Sequence, residues 1–307
     1  MKGFCGHLKD ETKLKNCASG GFATALYEKI LKNGGVGYGV AYTPDFKGAE
    51  YIRITKSEEI KKLQTSKYIK ASLTEDIINK VTEDLKRDKE VVVIGLPCDV
   101  ACLYEKLYNI NKEKLLLVDL KCNGPATFDA LTQYVELLEK RFESKVKNII
   151  TPFKNPTWYP VYIKVEFENN KEYVELLADT EFGVAFDFCK DENCYYCKYK
   201  GDNHKSDMTV SNFWGVNIKD PAFSYHGTSY AYVYTKKGEE ALKSLDTFNL
   251  FENDANERNK SLPRYTTTPE KIKQYERFKK NFKKYGLLKA VKKQQTLKAK
   301  IKKLLKK

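Results

Sequence analysis

No stretch of the chain approaches the roughly 18 consecutive apolar residues that a membrane-crossing helix needs. The N-terminus, MKGFCGHLKDETKLKNCASGG, lacks the apolar middle of a secretory leader. A cytoplasmic location is therefore expected. Histidine is scarce, and His7, His204 and His226 are scattered. They form no Ser-His-Asp arrangement, paired carboxylates do not stand out either, and each histidine reads as surface or structural. There is no internal repeat, and low complexity is confined to a lysine-rich end. Where thiols stay reduced, eight cysteines read as ligands, redox groups or small buried residues, not as disulfides.

The charge that is present is unevenly placed. The 307 residues carry 55 Lys and Arg against 41 Asp and Glu, a net charge of +14, and Leu287 to Lys307 alone holds nine Lys and no acid. The body is close to balanced, so a DNA-binding fold is disfavoured and no nucleic-acid partner is expected. In the tail, Leu288, Val291, Leu297, Ile301, Leu304 and Leu305 fall roughly on one helical face with lysines opposite. Such a helix suits an anionic membrane surface, an acidic ferredoxin-like donor or nucleic acid, and equally a solvated end.

The length allows about two domains. SGGFATALYEKILKNGG reads as a helix with Ser19 as N-cap and Gly34-Gly35 as its stop. VGYGVAY and YIRIT read as strands, and Thr74 caps a helix whose Ile77, Ile78, Val81 and Leu85 share one face. VVVIG (91–95) is wholly apolar, as buried parallel strands are, and KLLLVDL repeats the theme of a buried strand; each runs through a turn into a helix. Past residue 150 the texture changes: VYIKVEFENNKEYVEL alternates around an Asn-Asn-Lys turn like an antiparallel hairpin. MTVSNFWGV and YAYVYT follow as strands, then a helix capped by Thr268 and Pro269. The expected class is α/β (α+β): a mixed sheet with flanking helices, an antiparallel region carrying a Cys-rich loop, and a helical tail.

Three cysteines crowd into DFCKDENCYYCKYKG. Cys194 and Cys197 have the Cys-x-x-Cys spacing that turns two thiolates onto one metal or iron, and Cys189 precedes them by five residues. Four ligands are needed, so others come from elsewhere. Cys98 and Cys122 stand just past the carboxyl ends of the two buried strands, where α/β sheets gather ligands. Cys5 and Cys102 read as small packing residues. Spacing does not separate zinc from an iron–sulfur cluster, and the aromatic NCYYCKYKG is unlike a redox dithiol at a helix start. The Ser19-Gly20-Gly21 helix start can receive an anion. In QTSKYIKAS, Ser66 and Lys67 can hold a phosphate or ring carbonyl while Tyr68 stacks on a ring; taken alone it is an exposed polar loop.

In order, ASGGFATALYEKILKNGGVGYGVAY, LQTSKYIKAS, VVVIGLPCDVACL, LVDLKCNGP and CYYCKYKGDNHKSDMTVSNFWG strongly resemble the coenzyme F420 hydrogenase/dehydrogenase beta-subunit family, over about residues 15 to 290 including NKSLPRYTT. The resemblance implies an FAD and one [4Fe–4S] cluster, with Cys98, Cys122, Cys194 and Cys197 as ligands and Cys189 as an alternative. It also implies that Ser19, Gly20, Gly21, Ser66, Lys67, Tyr68, Gly95 and Pro97 lie about the flavin. No side chain is then needed as catalyst, because the flavin carries the chemistry. Asp207 and Trp214 read as supporting structure near the cluster. Departures are Cys17 and Ala18 where serines are usual, Asp99 where Gln is common and Asn123 for a frequent His. The implied division is a flavin-binding part over 1–88, a part with the cluster cysteines over 89–250 and a basic tail over 251–307. Many relatives add a ferredoxin domain. The expected partners are therefore a separate ferredoxin-like or other redox protein and a small-molecule carrier such as coenzyme F420. The rival is a non-enzymatic, zinc-stapled binding protein with a membrane- or RNA-contacting tail.

Overall fold

The computed structural model describes residues 1–199, 203–255 and 267–304, with the side chains of 297–304 left aside. The NKSLPRYTT segment, apart from its last residue, lies outside the described residues, as do Leu305 and the side chains of Leu297, Ile301 and Leu304. The strands are β1 (Lys2–Leu8), β2 (Val36–Tyr42), β3 (Ala49–Ile54), β4 (Val91–Gly95), β5 (Leu115–Leu120), β6 (Val146–Phe153), β7 (Tyr162–Phe167), β8 (Glu172–Leu176), β9 (Met208–Asn212), β10 (Ser229–Val233) and β11 (Phe248–Asn253). The helices are α1 (Glu11–Lys15), α2 (Phe22–Lys32), α3 (Ile60–Leu63), α4 (Glu75–Lys86), α5 (Pro97–Lys106), α6 (Phe128–Phe142), α7 (Glu181–Phe188), α8 (Lys236–Lys243), α9 (Pro269–Tyr285) and α10 (Leu287–Leu304).

One mixed sheet of eight strands runs β11-β1-β10-β9-β5-β4-β2-β3. Its middle is parallel: Val36 pairs with Val91, Val91 with Leu115 and Val118 with Met208. Both ends are antiparallel. The alternation along the apolar strands splits them between two faces. Val92, Ile94, Leu116 and Val118 pack under Phe22, Ala25 and Leu26 of α2. Val91, Val93, Leu115 and Leu117 pack against α4 and α5 on the other face. A second, three-stranded sheet β6-β7-β8 leans on α6, α7, α9 and α10, around a core of Tyr134, Phe167, Phe182 and Phe278. The hairpin expected around the Asn-Asn-Lys turn is β7–β8; β6 completes the sheet.

Two helix details depart from expectation. Ser19 does not cap α2. The N-cap is Gly21 at φ 94°, and the Ser19 hydroxyl instead donates to Thr228 O at 2.8 Å. Among the described side chains of α10, Leu287, Ala290, Val291 and Gln294 are buried, at helical spacing, while Leu288 is 38% exposed. Thr74 and Thr268 cap α4 and α9 as expected, accepting from Ile77 N and Lys271 N. No helix among the described residues is long and apolar enough to cross a membrane.

A buried ion pair ties α4 to the sheet edge. Arg53 Nε and Nη2 donate to the two Asp84 oxygens at 2.7 and 2.8 Å, and the buried Tyr38 hydroxyl donates to Oδ2 at 2.6 Å. Burial alone would raise the Asp84 carboxyl, but the hydrogen bonds from Arg53 and Tyr38 outweigh it and hold it at about 2. The unfolded chain takes up this proton near pH 4. The pair's contribution is therefore complete above that value and drains away as pH falls toward 2. Asp84→Ala, which strands Tyr38 and Arg53, is expected to cost about 3 kcal/mol at pH 7. The deficit should shrink at acid pH, measured by urea unfolding across pH.

Candidate functional site

Three loops that are far apart in sequence are zipped together by main-chain bonds. Ile69 bridges Ala126, and Ala126 bridges Lys190. Ala126 N donates to Tyr68 O and Thr127 N to Cys189 O, each at 2.9 Å. The buried Lys190 reaches back to Gly124 O at 2.7 Å. This seam brings the loop after α3, the turn after β5 and the Cys-rich segment after α7 to one place. Beyond the Cys-x-x-Cys the chain is tethered again at β5. Asp119, fully buried, accepts from Ser206 Oγ at 3.0 Å and from Thr209 Oγ1, and lies 2.8 Å from His204 Nδ1. Neither Lys190 nor the Asp119 knot stands out in the sequence, since each depends on partners about 60 to 90 residues away.

The turn after β5 needs Gly124. Its φ of 91° is left-handed, and a Cβ there would sit 3.1 Å from Cys194 Cβ. Cys122, Cys194, Cys197 and Cys98 thereby share one electrostatic neighbourhood. A charge on Cys122 or Cys197 would raise the Cys98 thiol, and one on Cys194 or Cys197 would raise Cys122. Burial comes first as a cause, lifting Cys98 to about 12 and Cys122 to about 11, so both are neutral without a metal. Among the described residues, no three His, Cys, Asp or Glu side chains enclose a metal-sized point. Cys189 is turned the other way: it is buried against the second core, with its sulfur 3.2 Å from Thr127 Oγ1. Cys5 is buried, Cys102 is exposed and Cys17 lies on a cavity wall.

That cavity, of about 340 Å³, opens at the carboxyl ends of β4, β5 and β9, and Cys122 is part of its wall. Ser19, Gly21, Ser66, Lys67, Tyr68 and Gly95 all line it. Gly20 and Pro97 do not. Gly20 packs backward, where a Cβ would overlap Gly6 O and Ser229 N, and Pro97 is buried in the first turn of α5. Gly95 is required for a neighbour, since a Cβ would overlap the Tyr51 hydroxyl. The 64–68 loop is not an exposed polar loop. Thr65 and Tyr68 hold left-handed φ of 65° and 55°, a strain that recurs around ligand clamps. Ser66 N donates to Thr151 O at 2.6 Å, and the Tyr68 ring stands 4.7 Å from Phe186. Lys67 is buried, donating to Gln64 O at 2.6 Å and Lys62 O at 3.1 Å, and burial lowers it to about 7.

Between cavity and cysteines stands a carboxylate that the sequence marks only as a departure. Asp99 is buried, accepts from Tyr51 at 3.0 Å, and faces Lys70 Nζ at 3.7 Å. Burial raises its carboxyl. Trp214 lines the cavity mouth, and Asp207 is structural, accepting from Leu117 N at 2.9 Å and Thr235 Oγ1 at 2.7 Å.

The strand order and helix arrangement recur elsewhere. A chain of the F420-reducing [NiFe] hydrogenase complex from Methanosarcina barkeri shares the fold, with a TM-score of 0.56 at 18% identity over 94% of each chain. Residues 4–79 match the family model for the N-terminal part of the coenzyme F420 hydrogenase/dehydrogenase beta subunit, and residues 88–259 match that for its C terminus. The chain therefore belongs to the coenzyme F420 hydrogenase/dehydrogenase beta-subunit family, a family of oxidoreductases.

Proposed function

We propose that the cavity seats the flavin of an FAD and that Cys98, Cys122, Cys194 and Cys197 hold a [4Fe–4S] cluster beside it. The observation that carries this is the double membership of Cys122. It belongs to the cavity wall, and Gly124, two residues on, lies against the Cys-x-x-Cys loop, where a Cβ would come within 3.1 Å of Cys194 Cβ and 3.5 Å of its sulfur. The donor chemistry fits, since four sulfurs are a soft set of the kind that takes iron–sulfur clusters, and the carboxylate beside them, Asp99 with Oδ1 3.8 Å from Cys98 Sγ, is engaged by Tyr51 and Lys70. A bound flavin supplies the exchange between two-electron hydride chemistry and single-electron transfer.

The protein's own residues do the rest. Ser19 and Gly21 place the amino end of α2 on the cavity, where unpaired main-chain N–H groups suit a phosphate. The Ser66–Tyr68 loop, fixed by its bond to Thr151, closes one side, with the buried Lys67 ammonium pinned by the carbonyls of Gln64 and Lys62. Lys190 and Gly124 clamp the Cys-x-x-Cys loop over the turn after β5, which holds the four half-buried thiols on one side of the seam. The one-electron side is a separate redox protein, and the two-electron side is a diffusible carrier such as coenzyme F420.

Analysis of anaerobically purified protein tests the assignment. It should be brown, with a flavin absorption pattern, about four iron and four sulfide per chain, and one FAD. Colourless protein holding a single zinc would instead identify a stapled binding protein with a basic tail.

A further inference from the structure

Between Arg277 and Thr296 the chain carries seven Lys and one Arg, and not one acid. The fold gathers this stretch into a single corner, where α9 ends and α10 begins. Gly286, at φ 77°, stops α9, and its N donates back to Phe282 O at 2.8 Å. Leu287 N donates to Gln133 Oε1 of α6, also at 2.8 Å. Phe278, Phe282, Leu287, Ala290 and Val291 are buried in the second core. The apolar side chains of α10 described here are thus taken up by the protein itself, and the corner is fixed on the body before anything binds it.

What faces outward is basic. Lys280, Lys283, Lys284, Lys289, Lys292 and Lys293 are exposed, and among the described residues none of them is in an ion pair. Lys279 differs, since it pairs with Glu192 at 2.8 Å beside Cys194. Tyr285 stands at the corner, 38% exposed, and draws a lysine from each helix: Lys284 Nζ lies 5.1 Å and Lys293 Nζ 3.9 Å from its ring centroid. Leu288, exposed to the same degree, follows three residues on. Unpaired ammonium groups crowded at one corner repel one another, and an anionic surface removes that repulsion. A tyrosine and a leucine among them can enter the headgroup layer while the lysine heads stay in water.

Two features favour lipid over a macromolecular partner. Lysine is depleted where proteins join, because its mobile, strongly hydrated head loses much on being fixed. Nucleic acid is met by planar arginine forks and stacked aromatics, and Arg277 is the one Arg in the stretch. A fluid layer of headgroups asks for neither fixed geometry nor lost hydration. We infer that the α9–α10 corner is a peripheral attachment site for an anionic phospholipid surface, with the six lysines meeting headgroups and Tyr285 and Leu288 entering the interface. The sequence past the corner, Leu297 to Lys307, carries six more lysines and no acid, so the adjoining chain has the same sign. This attachment is independent of the flavin reading.

The test floats the full-length protein with vesicles of phosphatidylcholine, alone or with about one-third phosphatidylglycerol. It should float with the anionic vesicles only, and raising salt from about 0.1 to about 0.5 M should weaken binding about tenfold or more. Replacing the six exposed lysines by Gln should lower partition by about tenfold or more, with Tm unchanged. Lys279 is left in place because it holds Glu192. The double variant Tyr285→Ser, Leu288→Ser keeps the charge and should lower partition about threefold or more. Absence of flotation, or equal flotation with neutral vesicles, would overturn the inference. So would a six-lysine variant that floats like the parent, which would place the attachment elsewhere in the chain. Unchanged partition of the Tyr285 and Leu288 variant would overturn the entry of the corner into the interface. Protein that ignores vesicles but binds an acidic ferredoxin or RNA through the six lysines would give the face to that partner instead.

Discussion

Cys122→Ser is expected to reduce bound iron from about four per chain to less than about one, with the protein still folded. Cys122 is half-buried at the carboxyl end of β5 and belongs to no hydrophobic core; its sulfur accepts a hydrogen bond from Gly124 N at 3.3 Å. Serine keeps that bond and nearly the same volume. What it removes is the soft thiolate, and a neutral hydroxyl is a poor substitute in a cluster site. The controls are the other cysteines. Cys189→Ser puts a hydroxyl in an apolar surround that already offers Thr127 Oγ1, so it should cost about 1 kcal/mol and no iron. Cys102→Ser, on the exposed side of α5, should change neither. Iron and sulfide analysis of anaerobic preparations reads all three. Iron retained in Cys122→Ser but lost in Cys189→Ser would reverse the assignment and restore the bare Cys-x4-Cys-x2-Cys reading of the loop.

How much of this is legible in the sequence follows from how local each cause is. VVVIG and LLLVDL declare buried strands because both faces of the parallel centre are covered, and that requirement is written in five or six consecutive residues. Thr74 and Thr268 declare helix starts because a cap acts within three residues. β1 declares nothing. KGFCGHL is broken by glycines and a histidine, and its place between β10 and β11 depends on residues more than 220 positions later. The four proposed cluster cysteines are nameable from the order of motifs. The seam that gathers their loops, Ile69 to Ala126 to Lys190, is main-chain pairing with no side-chain signature. Lys67 reads as a surface residue because its burial comes from loop geometry, set by Thr151 and Ala126 through their main-chain bonds. Trp158 carries no local signal for the same reason, since its meaning lies in touching Ala18. Ser19 does line the cavity, but it does not cap the helix. The left-handed Gly21 starts α2 two residues later, leaving the serine hydroxyl to bind β10's approach at Thr228.

Gly20→Ala is expected to be the most damaging single methyl around the cavity, costing about 4 kcal/mol and most of the bound flavin. The turn that holds Gly20 is clamped at every neighbour. Ala18 O accepts from Trp158, Ser19 O from Lys154 at 3.0 Å, Ser19 Oγ donates to Thr228 O, and Gly20 O accepts from Leu8 N at 2.8 Å. A Cβ on Gly20 would overlap Gly6 O and Ser229 N, which are main-chain atoms of residues paired directly across β1 and β10. Two bonded inner strands do not part to admit a methyl, so the turn itself must lift, carrying Ser19 and Gly21 away from the cavity. Gly21→Ala is the measure of what mere backbone preference costs. Its φ of 94° disfavours a side chain, and the methyl would press on the side chains of Leu8 and Cys17 but on no main-chain atom, so a smaller cost of about 2 kcal/mol is expected. Chemical unfolding should therefore rank Gly20→Ala well below Gly21→Ala in stability, and flavin absorbance per chain should fall in the same order. The opposite order would mean that the Ser-Gly-Gly turn meets its ligand through Gly21's conformation, with the contact to β1 and β10 incidental.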